Sequence, residues 1–404
     1  MKTSAPHSRR THPFPWLLPM LLSLACVGAA TAASDPVGQV KGLGQASLLL
    51  KEQGRDLIAY QADTPRVPAS TMKLLTAFAA LQTWGPNHHF ETDFFQDGSG
   101  WLWVKGYADP YLVSEELDRV VPMLKKNGVR QVSGIGLDDS FFGPDVEIAG
   151  RSSSDNPYDA PVTALAANFN TINLVRNGDQ IRSAETQTEL TATARRFGLA
   201  GGAGKQRVNL RERDIAVRYF GELLAAKLAG AGIAVQDRQK NAPVPAGARL
   251  VYRHSNSRTL SDMLKPMLKY SNNFIANALF LRLAEPEGRG QVTMAAAKQR
   301  MTNFARQRFG WRDFRIDDGA GLSRANRLSA RQLVDVVEAF APYRDLLPEQ
   351  EGNPNVRAKT GSLRGVSCYA GYVRRKGVWA PFALLINQPV EYNLRRRVAS
   401  SLVR

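Results

Sequence analysis

Three short polar clusters in this chain have the residue types and spacing for nucleophilic chemistry: Ser70-Thr71-Met72-Lys73, Ser271-Asn272-Asn273 and Lys359-Thr360-Gly361-Ser362. A serine hydroxyl is a poor nucleophile until a neighbour takes its proton. Three residues along a helix is close to one turn, so Lys73 would face the same side as Ser70 and could be that neighbour. It can act as a base only when neutral. Its ordinary pKa of about 10.4 must therefore fall, through apolar burial and a second cation nearby. Lys359 is the candidate cation. A helix N-terminus at Ser70 would bring its positive dipole end and the Ser70 N–H to the reacting carbon, as half of an oxyanion hole. The N–H of Ser362 is the natural other half. A substrate ending in a free carboxylate would be held by Lys359, Thr360 and Ser362. Ser271 could relay the proton to a leaving amine, and Asn273 would hold the substrate amide.

The residue inventory favours a base other than histidine. There are five histidines: His7 and His12 near the N-terminus, His88 and His89 after Gly85-Pro86, and His254. One histidine would suffice for a Ser-His-Asp enzyme. Yet no Gly-x-Ser-x-Gly elbow is present, nor a Gly-x-Gly-x-x-Gly or Walker phosphate loop. No histidine has an acidic or thiolate companion at metal-ligand spacing, so neither a metal nor a cofactor is expected. Of the two cysteines, Cys26 and Cys368, the second lies in the apolar run Val366-Ser367-Cys368-Tyr369-Ala370 and reads as a buried structural thiol.

The surrounding pattern predicts elements that could position these groups. Ala46 to Lys51 and Asp56 to Gln61 read as a hairpin about Gly54-Arg55. A proline-containing loop, Thr64 to Pro68, leads to Ser70. Apolar residues at helical spacing follow (Leu74, Leu75, Phe78, Leu81) and stop at Gly85-Pro86. Residues 86–205 change character: strand-like pieces at Trp101 to Lys105 and Val129 to Leu137 alternate with turns, and Gly201 to Gly204 reads as a linker. Asp214 to Leu228 is helical. Leu260 to Lys269 is a helix entered by the capping-box pair Thr259 and Asp262, and Phe274 to Leu283 is a second one. Val356 to Lys359, Gly365 to Val373 and Val378 to Asn387 read as strands, followed by a basic helix from about Asn393. Ser271 thus falls between two helices. Ser154-Asp155-Asn156 repeats the Ser-x-Asn wording, but in a polar loop before Pro157, so Ser271 is favoured.

At 404 residues and 44% hydrophobic content, the chain can form a full-sized core. Lys2, Arg9 and Arg10, the apolar run Trp16 to Ala30 and the small residues Ala30-Thr31-Ala32 have the layout of a secretory signal peptide over residues 1–32. Leu24-Ala25-Cys26 is a looser match to a lipoprotein signal. The formal charge is +17, and the remainder after residue 32 still carries +14. That surplus favours an anionic partner. The positive residues are scattered, however, with Arg395-Arg396-Arg397 a tight run, and no nucleic-acid-binding signature accompanies them. No nucleic-acid partner is expected. No other apolar run reaches membrane-spanning length, so no transmembrane anchor is expected in the mature form.

In order, setting and wording the three clusters resemble the Ser-x-x-Lys, Ser-x-Asn and Lys-Thr-Gly signature of penicillin-binding proteins and serine β-lactamases. A chain of this length should contain about one Ser-x-x-Lys by chance but only on the order of 0.1 Lys-Thr-Gly. From about residue 40 to 400 the chain further resembles the class C low-molecular-mass penicillin-binding proteins, the D-alanyl-D-alanine carboxypeptidase/endopeptidases. The matching phrases include Pro68-Ala69-Ser70-Thr71-Met72-Lys73, Asp138-Asp139-Ser140-Phe141-Phe142, Tyr158-Asp159-Ala160-Pro161 with Asn168-Phe169-Asn170, Lys269-Tyr270-Ser271-Asn272-Asn273, Asp318-Gly319-Ala320-Gly321-Leu322-Ser323-Arg324-Ala325-Asn326 and Arg357-Ala358-Lys359-Thr360-Gly361-Ser362-Leu363.

That resemblance implies an α/β fold: a β-lactamase/transpeptidase-like domain, an antiparallel sheet flanked by helices, with an inserted strand-rich domain. The expected order is signal 1–32, catalytic part 33–85, inserted domain 86–205 and catalytic part 206–404. It also implies periplasmic peptidoglycan peptides as substrates and acylation by β-lactam antibiotics. Two phrases depart from the family. The insert is short, without a Trp-containing strand near Thr186 to Lys205, and Gly106-Tyr107-Ala108-Asp109-Pro110 stands where a more glycine-rich phrase is common. Two other readings share the motifs. A serine β-lactamase would use the same fold, and Tyr270-Ser271-Asn272 fits the Tyr-x-Asn of its class C. A non-catalytic binder of cell-wall peptides is the other.

Overall fold

A computed structural model describes residues 35–285 and 290–403. The expected signal peptide and Cys26 lie outside the described residues. The chain enters at the middle of a six-stranded antiparallel sheet rather than at its edge. Its strand order is Glu349–Gln350, Asn353–Leu363, Val366–Arg375, Val378–Ile386, Ala46–Glu52, Arg55–Tyr60. The expected hairpin is there, turning at Gly54 with φ +77°. Ala46 pairs with Ile386 and Leu50 with Phe382, so the two ends of the sequence are laced together. The strand carrying Lys359 to Ser362 is longer than expected. It runs through the whole cluster to Leu363, and Thr360 pairs with Tyr369.

Alternation gives this sheet two apolar faces. One, built on Leu48, Leu50, Val356, Ala358 and Phe382, is covered by the final helix Leu394–Leu402 through Leu394, Val398 and Leu402. The other packs against the helices Met72–Trp84, Asn273–Arg282 and Ala330–Ala339. Met72–Trp84 is buried along ten consecutive residues, Met72 to Leu81. The stripe read from the sequence covers only part of that, because the helix is enclosed on every side.

A second layer has its own core. Its five-stranded sheet runs Gln239–Asn241, Ile135–Asp138, Leu102–Gly106, Glu91–Gln96, Arg249–Ser255. The helices Ser114–Lys126 and Arg213–Gly230 cover it through Leu117, Val120, Phe220 and Leu224. A three-stranded sheet, Gln180–Ser183, Thr171–Asn177, Gly204–Asn209, adjoins it. This layer continues to Ser255, past the boundary expected near 205. The glycines at 201–204 do not link domains: they join the helix Ala192–Ala200 to the strand Gly204–Asn209.

The layers meet through an unusual turn. Asn168, Phe169 and Asn170 have φ of 52°, 61° and 53°, three successive left-handed residues of which none is glycine, a conformation disfavoured by about 1–2 kcal/mol per residue. Hydrogen bonds hold it: Asn168 Nδ2 donates to Ser114 Oγ, and Asn170 Nδ2 donates to the Pro161 carbonyl and Thr163 Oγ1. The turn seats the Phe169 ring against Tyr111 and against Phe274, next to Asn273. Among the described residues, no helix is long and apolar enough to cross a membrane.

Candidate active site

Ser70 sits in a 3₁₀ turn, Ala69–Thr71, that runs directly into the helix Met72–Trp84. Ala69 is forced to φ +46°, the kind of backbone strain that collects at reacting groups. Lys73 follows one turn later and is fully buried. Its Nζ donates to Ser70 Oγ (2.9 Å), Asn273 Oδ1 (2.8 Å) and the Ala320 carbonyl (2.8 Å). Burial lowers its pKa to about 7, against the opposing pull of Asp318. A neutral amine keeps two N–H donors and a lone pair. Asn273 Oδ1 and the Ala320 carbonyl oxygen can only accept, so they claim the donors. The lone pair is left for the Ser70 hydroxyl proton.

The loop that supplies the Ala320 carbonyl is held from within. Asp318, fully buried, accepts from the N–H groups of Ala320 (3.0 Å), Leu322 (3.1 Å) and Ser323 (3.0 Å) and from Asn326 Nδ2 (2.6 Å). Asn277, one turn beyond Asn273, accepts from the N–H groups of Gly319 and Ala320. In the sequence this stretch is a family phrase whose residues have no evident role. Their function, to present a carbonyl to Lys73, depends on contacts between distant segments that no local pattern encodes.

Two glycines let three segments converge on Ser70. A Cβ on Gly321, where φ is +80°, would lie 1.9 Å from the Ala69 carbonyl oxygen. A Cβ on Gly361 would lie 2.8 Å from the Pro68 oxygen and 3.1 Å from the Ser70 nitrogen. Gly361 therefore belongs to the site through the side chain it lacks.

Ser271 occupies the junction of Leu260–Tyr270 and Asn273–Arg282 in the left-handed conformation (φ 57°). The capping box of Thr259 and Asp262 opens the first of these helices, as expected, and Asn272 caps the second by accepting from the Ile275 N–H. Asn273 spans two partners, with Oδ1 on Lys73 and Nδ2 donating to the Tyr158 carbonyl (3.1 Å). A cleft of about 480 Å³ is lined by Ser70, Tyr158, Ser271, Asn273, Thr360 and Ser362, among others. Six of the eight expected site residues thus touch one cleft or, in the case of Lys73, bond directly to Ser70 beneath it, and Gly361 is the close-approach point.

Lys359 is the one placed differently from expectation. It is fully buried behind the cleft wall, its Nζ donating to the Thr360 carbonyl (2.6 Å). Burial, then Lys73, then Arg395 hold its ammonium well below the ordinary lysine range. Lys73 owes its own lowered value to burial. Lys359 was expected to be the cation that lowers Lys73; instead burial lowers Lys73, and Lys73 is among the causes that lower Lys359.

The competing Ser154-Asp155-Asn156 has a structural role. The Ser154 hydroxyl donates to Asp159, and Asn209 Nδ2 donates to the Ser154 and Asn156 carbonyls. Cys368 is buried, as expected, and its thiol is pushed up to about 12 by desolvation. Sequence reasoning missed Arg395. Its guanidinium reaches from the final helix to the Gly361 carbonyl (3.0 Å) and Ser362 Oγ (2.6 Å), and in the sequence it was one member of a basic run.

Comparisons with known proteins give the chain its family. The chain is 26% identical to a D-alanyl-D-alanine carboxypeptidase of an Actinomadura species, over 79% of this chain and 73% of that one. It is 24% identical to a D-alanyl-D-alanine carboxypeptidase of Haemophilus influenzae, over 83% of each. Its fold matches the crystal structure of penicillin binding protein 4 from Haemophilus influenzae with a TM-score of 0.75 at 20% identity, covering 92% of this chain and 99% of that one. Residues 46–351, well over half of the sequence, match one family as a whole, and the chain belongs to that family, D-Ala-D-Ala carboxypeptidase 3 (S13).

Proposed function

We propose that the protein is a serine-type D-Ala-D-Ala carboxypeptidase, with D,D-endopeptidase activity as its extension, acting on peptidoglycan stem peptides after export to the periplasm. The observation that carries this reading is the buried Lys73 amine on Ser70 Oγ at 2.9 Å, with a pKa near neutrality. Lys73 takes the Ser70 proton as Oγ attacks the carbonyl carbon of the penultimate D-alanine. The N–H groups of Ser70 and Ser362 receive the developing oxyanion. Ser271 passes the proton to the amide nitrogen, the C–N bond breaks, and the terminal D-alanine leaves as the amine. Asn273 holds the acyl part through Nδ2. Thr360 and Ser362 receive the terminal carboxylate, with Lys359 contributing from behind the wall. Water then hydrolyses the Ser70 ester. A β-lactam presents the same amide in a ring, so its leaving group stays tethered.

Labelled benzylpenicillin tests this reading. A long-lived adduct mapped to Ser70 by mass spectrometry is the expected result. Rapid turnover would indicate a serine β-lactamase, and no adduct on folded protein would indicate a peptide-binding module. Digestion of muropeptides, with chromatography of the products, then measures terminal D-alanine release against crosslink cleavage.

The proton-relay role has its own test. Ser271→Ala should lower turnover about 10²-fold or more, whereas Tyr270→Phe should leave it within about threefold, because the Tyr270 side chain is 71% exposed and exposed groups contribute little. Steady-state kinetics on a D-Ala-D-Ala peptide reads both variants. The opposite ranking would place the relay in the Tyr-x-Asn register.

A further inference from the structure

Arg395 lies in the first turn of the helix Leu394–Leu402, whose apolar side is sunk into the core beneath the catalytic sheet. Its side chain is itself buried, at 4% exposure. A buried guanidinium ordinarily has a carboxylate partner, because removing an unpaired charge from water is costly. Among the described residues Arg395 has no such ion pair. Its Nη1 donates to the Gly361 carbonyl and to Ser362 Oγ, its Nε has no partner, and the guanidinium lies 5.3 Å from the Tyr392 ring centre. Lys359 and Lys73, buried close by, are also cationic when protonated. Asp318, the anion that acts on Lys73, belongs to the loop on the far side of Ser70. The wall formed by Thr360 to Ser362 thus has the Arg395 guanidinium behind it, with no carboxylate partner for that charge among the described residues.

We infer that Arg395 is a positioning residue of the carboxylate subsite and acts through Ser362; this rests on the carboxylate reading of the cleft given above. A serine hydroxyl has one proton and two lone pairs. Arg395 occupies a lone pair from the buried side, which leaves the hydroxyl proton of the exposed Ser362 to donate into the cleft. An anion arriving there meets an oriented O–H with a fixed cation behind it. Arg395 therefore selects substrates and inhibitors that carry a carboxylate next to the scissile bond, without touching them.

Two boronic acids test this: an acylaminomethyl boronic acid, and its analogue bearing a carboxylate where the leaving D-alanine would place one. Each forms a B–O bond to Ser70 Oγ, the serine proton passing to Lys73 as boron becomes a tetrahedral anion. The wild-type protein should bind the carboxylate-bearing compound more tightly. Arg395→Met should weaken that compound about tenfold to a hundredfold, the worth of one hydrogen bond to a charged group. The parent compound should change less than about threefold. Arg395→Lys keeps the charge without the fork and should fall between; it carries the test if the methionine variant does not fold. Equal weakening of both compounds would mean that Arg395 supports the fold only, and overturns the inference. So would a methionine variant that keeps the full carboxylate preference. A wild-type protein with no carboxylate preference overturns the subsite reading itself, and the inference with it.

Discussion

Lys73→Met should lower the rate at which benzylpenicillin acylates Ser70 by about 10³-fold, within the 10²–10⁴ range that a positioned general base contributes. Methionine fills a similar volume and cannot accept a proton. The loss should reveal itself in the pH dependence as well as in magnitude. In the wild-type protein the acylation rate should rise with pH through about 7, as Lys73 loses its proton. In the variant that rise should vanish. Stopped-flow acylation between pH 5.5 and 9 reads both effects, and a variant that keeps the rise would transfer the role of base to another group.

The same substitution makes a stability prediction of defined sign. Lys73 titrates near 7 in the folded protein and at its ordinary 10.5 when unfolded. Between those values the unfolded chain binds more protons, so Lys73 makes the folded state gain stability as pH rises through this window. Below 7 the full cost of burying the ammonium is present. Lys359, lowered in the same direction, remains in both proteins. The difference in Tm between variant and wild type should therefore shift in the variant's favour as pH falls from 9 to 6. A pH-independent difference would contradict the lowered value for Lys73.

Gly321→Ala should cost about 10²-fold in acylation, the scale expected when a reacting atom is displaced by about an ångström. Two effects combine at this residue. Its φ of +80° disfavours any side chain, and the new methyl would lie 1.9 Å from the Ala69 carbonyl oxygen. That oxygen is backbone, so relief requires moving the peptide that leads into Ser70. Destabilisation of about 1–3 kcal/mol should accompany the loss. Gly54→Ala separates the two effects, because Gly54 has a similar φ of +77° and open space where the Cβ would go. It should lower Tm slightly and leave acylation unchanged. If Gly321→Ala acylates at the wild-type rate, the close packing around Ser70 does not position the nucleophile.

The reacting groups were legible in the sequence because each cluster is contiguous and each falls where a helix or strand signal begins or ends. The Thr259–Asp262 capping box set the entry to the helix before Ser271. The apolar strands around Cys368 set the partner of the Lys359 strand. What supports the clusters was not legible, since its roles arise from packing between distant segments. Asp318 reads as an ordinary loop acid until its oxygens are seen to gather three backbone N–H groups. Arg395 reads as surface charge until the helix is docked. The depth of Lys359 follows from enclosure that period-2 patterning cannot express. The extent of the second layer was not legible for a topological reason: Gln239–Asn241 returns to pair in parallel with Ile135–Asp138, about a hundred residues earlier.

The placement of Ala46–Glu52 between Val378–Ile386 and Arg55–Tyr60 also governs when the protein becomes reactive. The strand that precedes the nucleophile segment finds its inner neighbour more than three hundred residues later. Pairings of such sequence separation close late and slowly in folding. Ser70 and Lys73 therefore emerge early on the nascent chain but lie without a complete sheet and without Arg395 until the strand Val378–Ile386 and the helix Leu394–Leu402 have been made. A chain interrupted before Val378–Ile386 would carry the nucleophile and Ser362 without the strand that joins Ala46–Glu52 to Val366–Arg375. Latency during synthesis is thus built into the strand order.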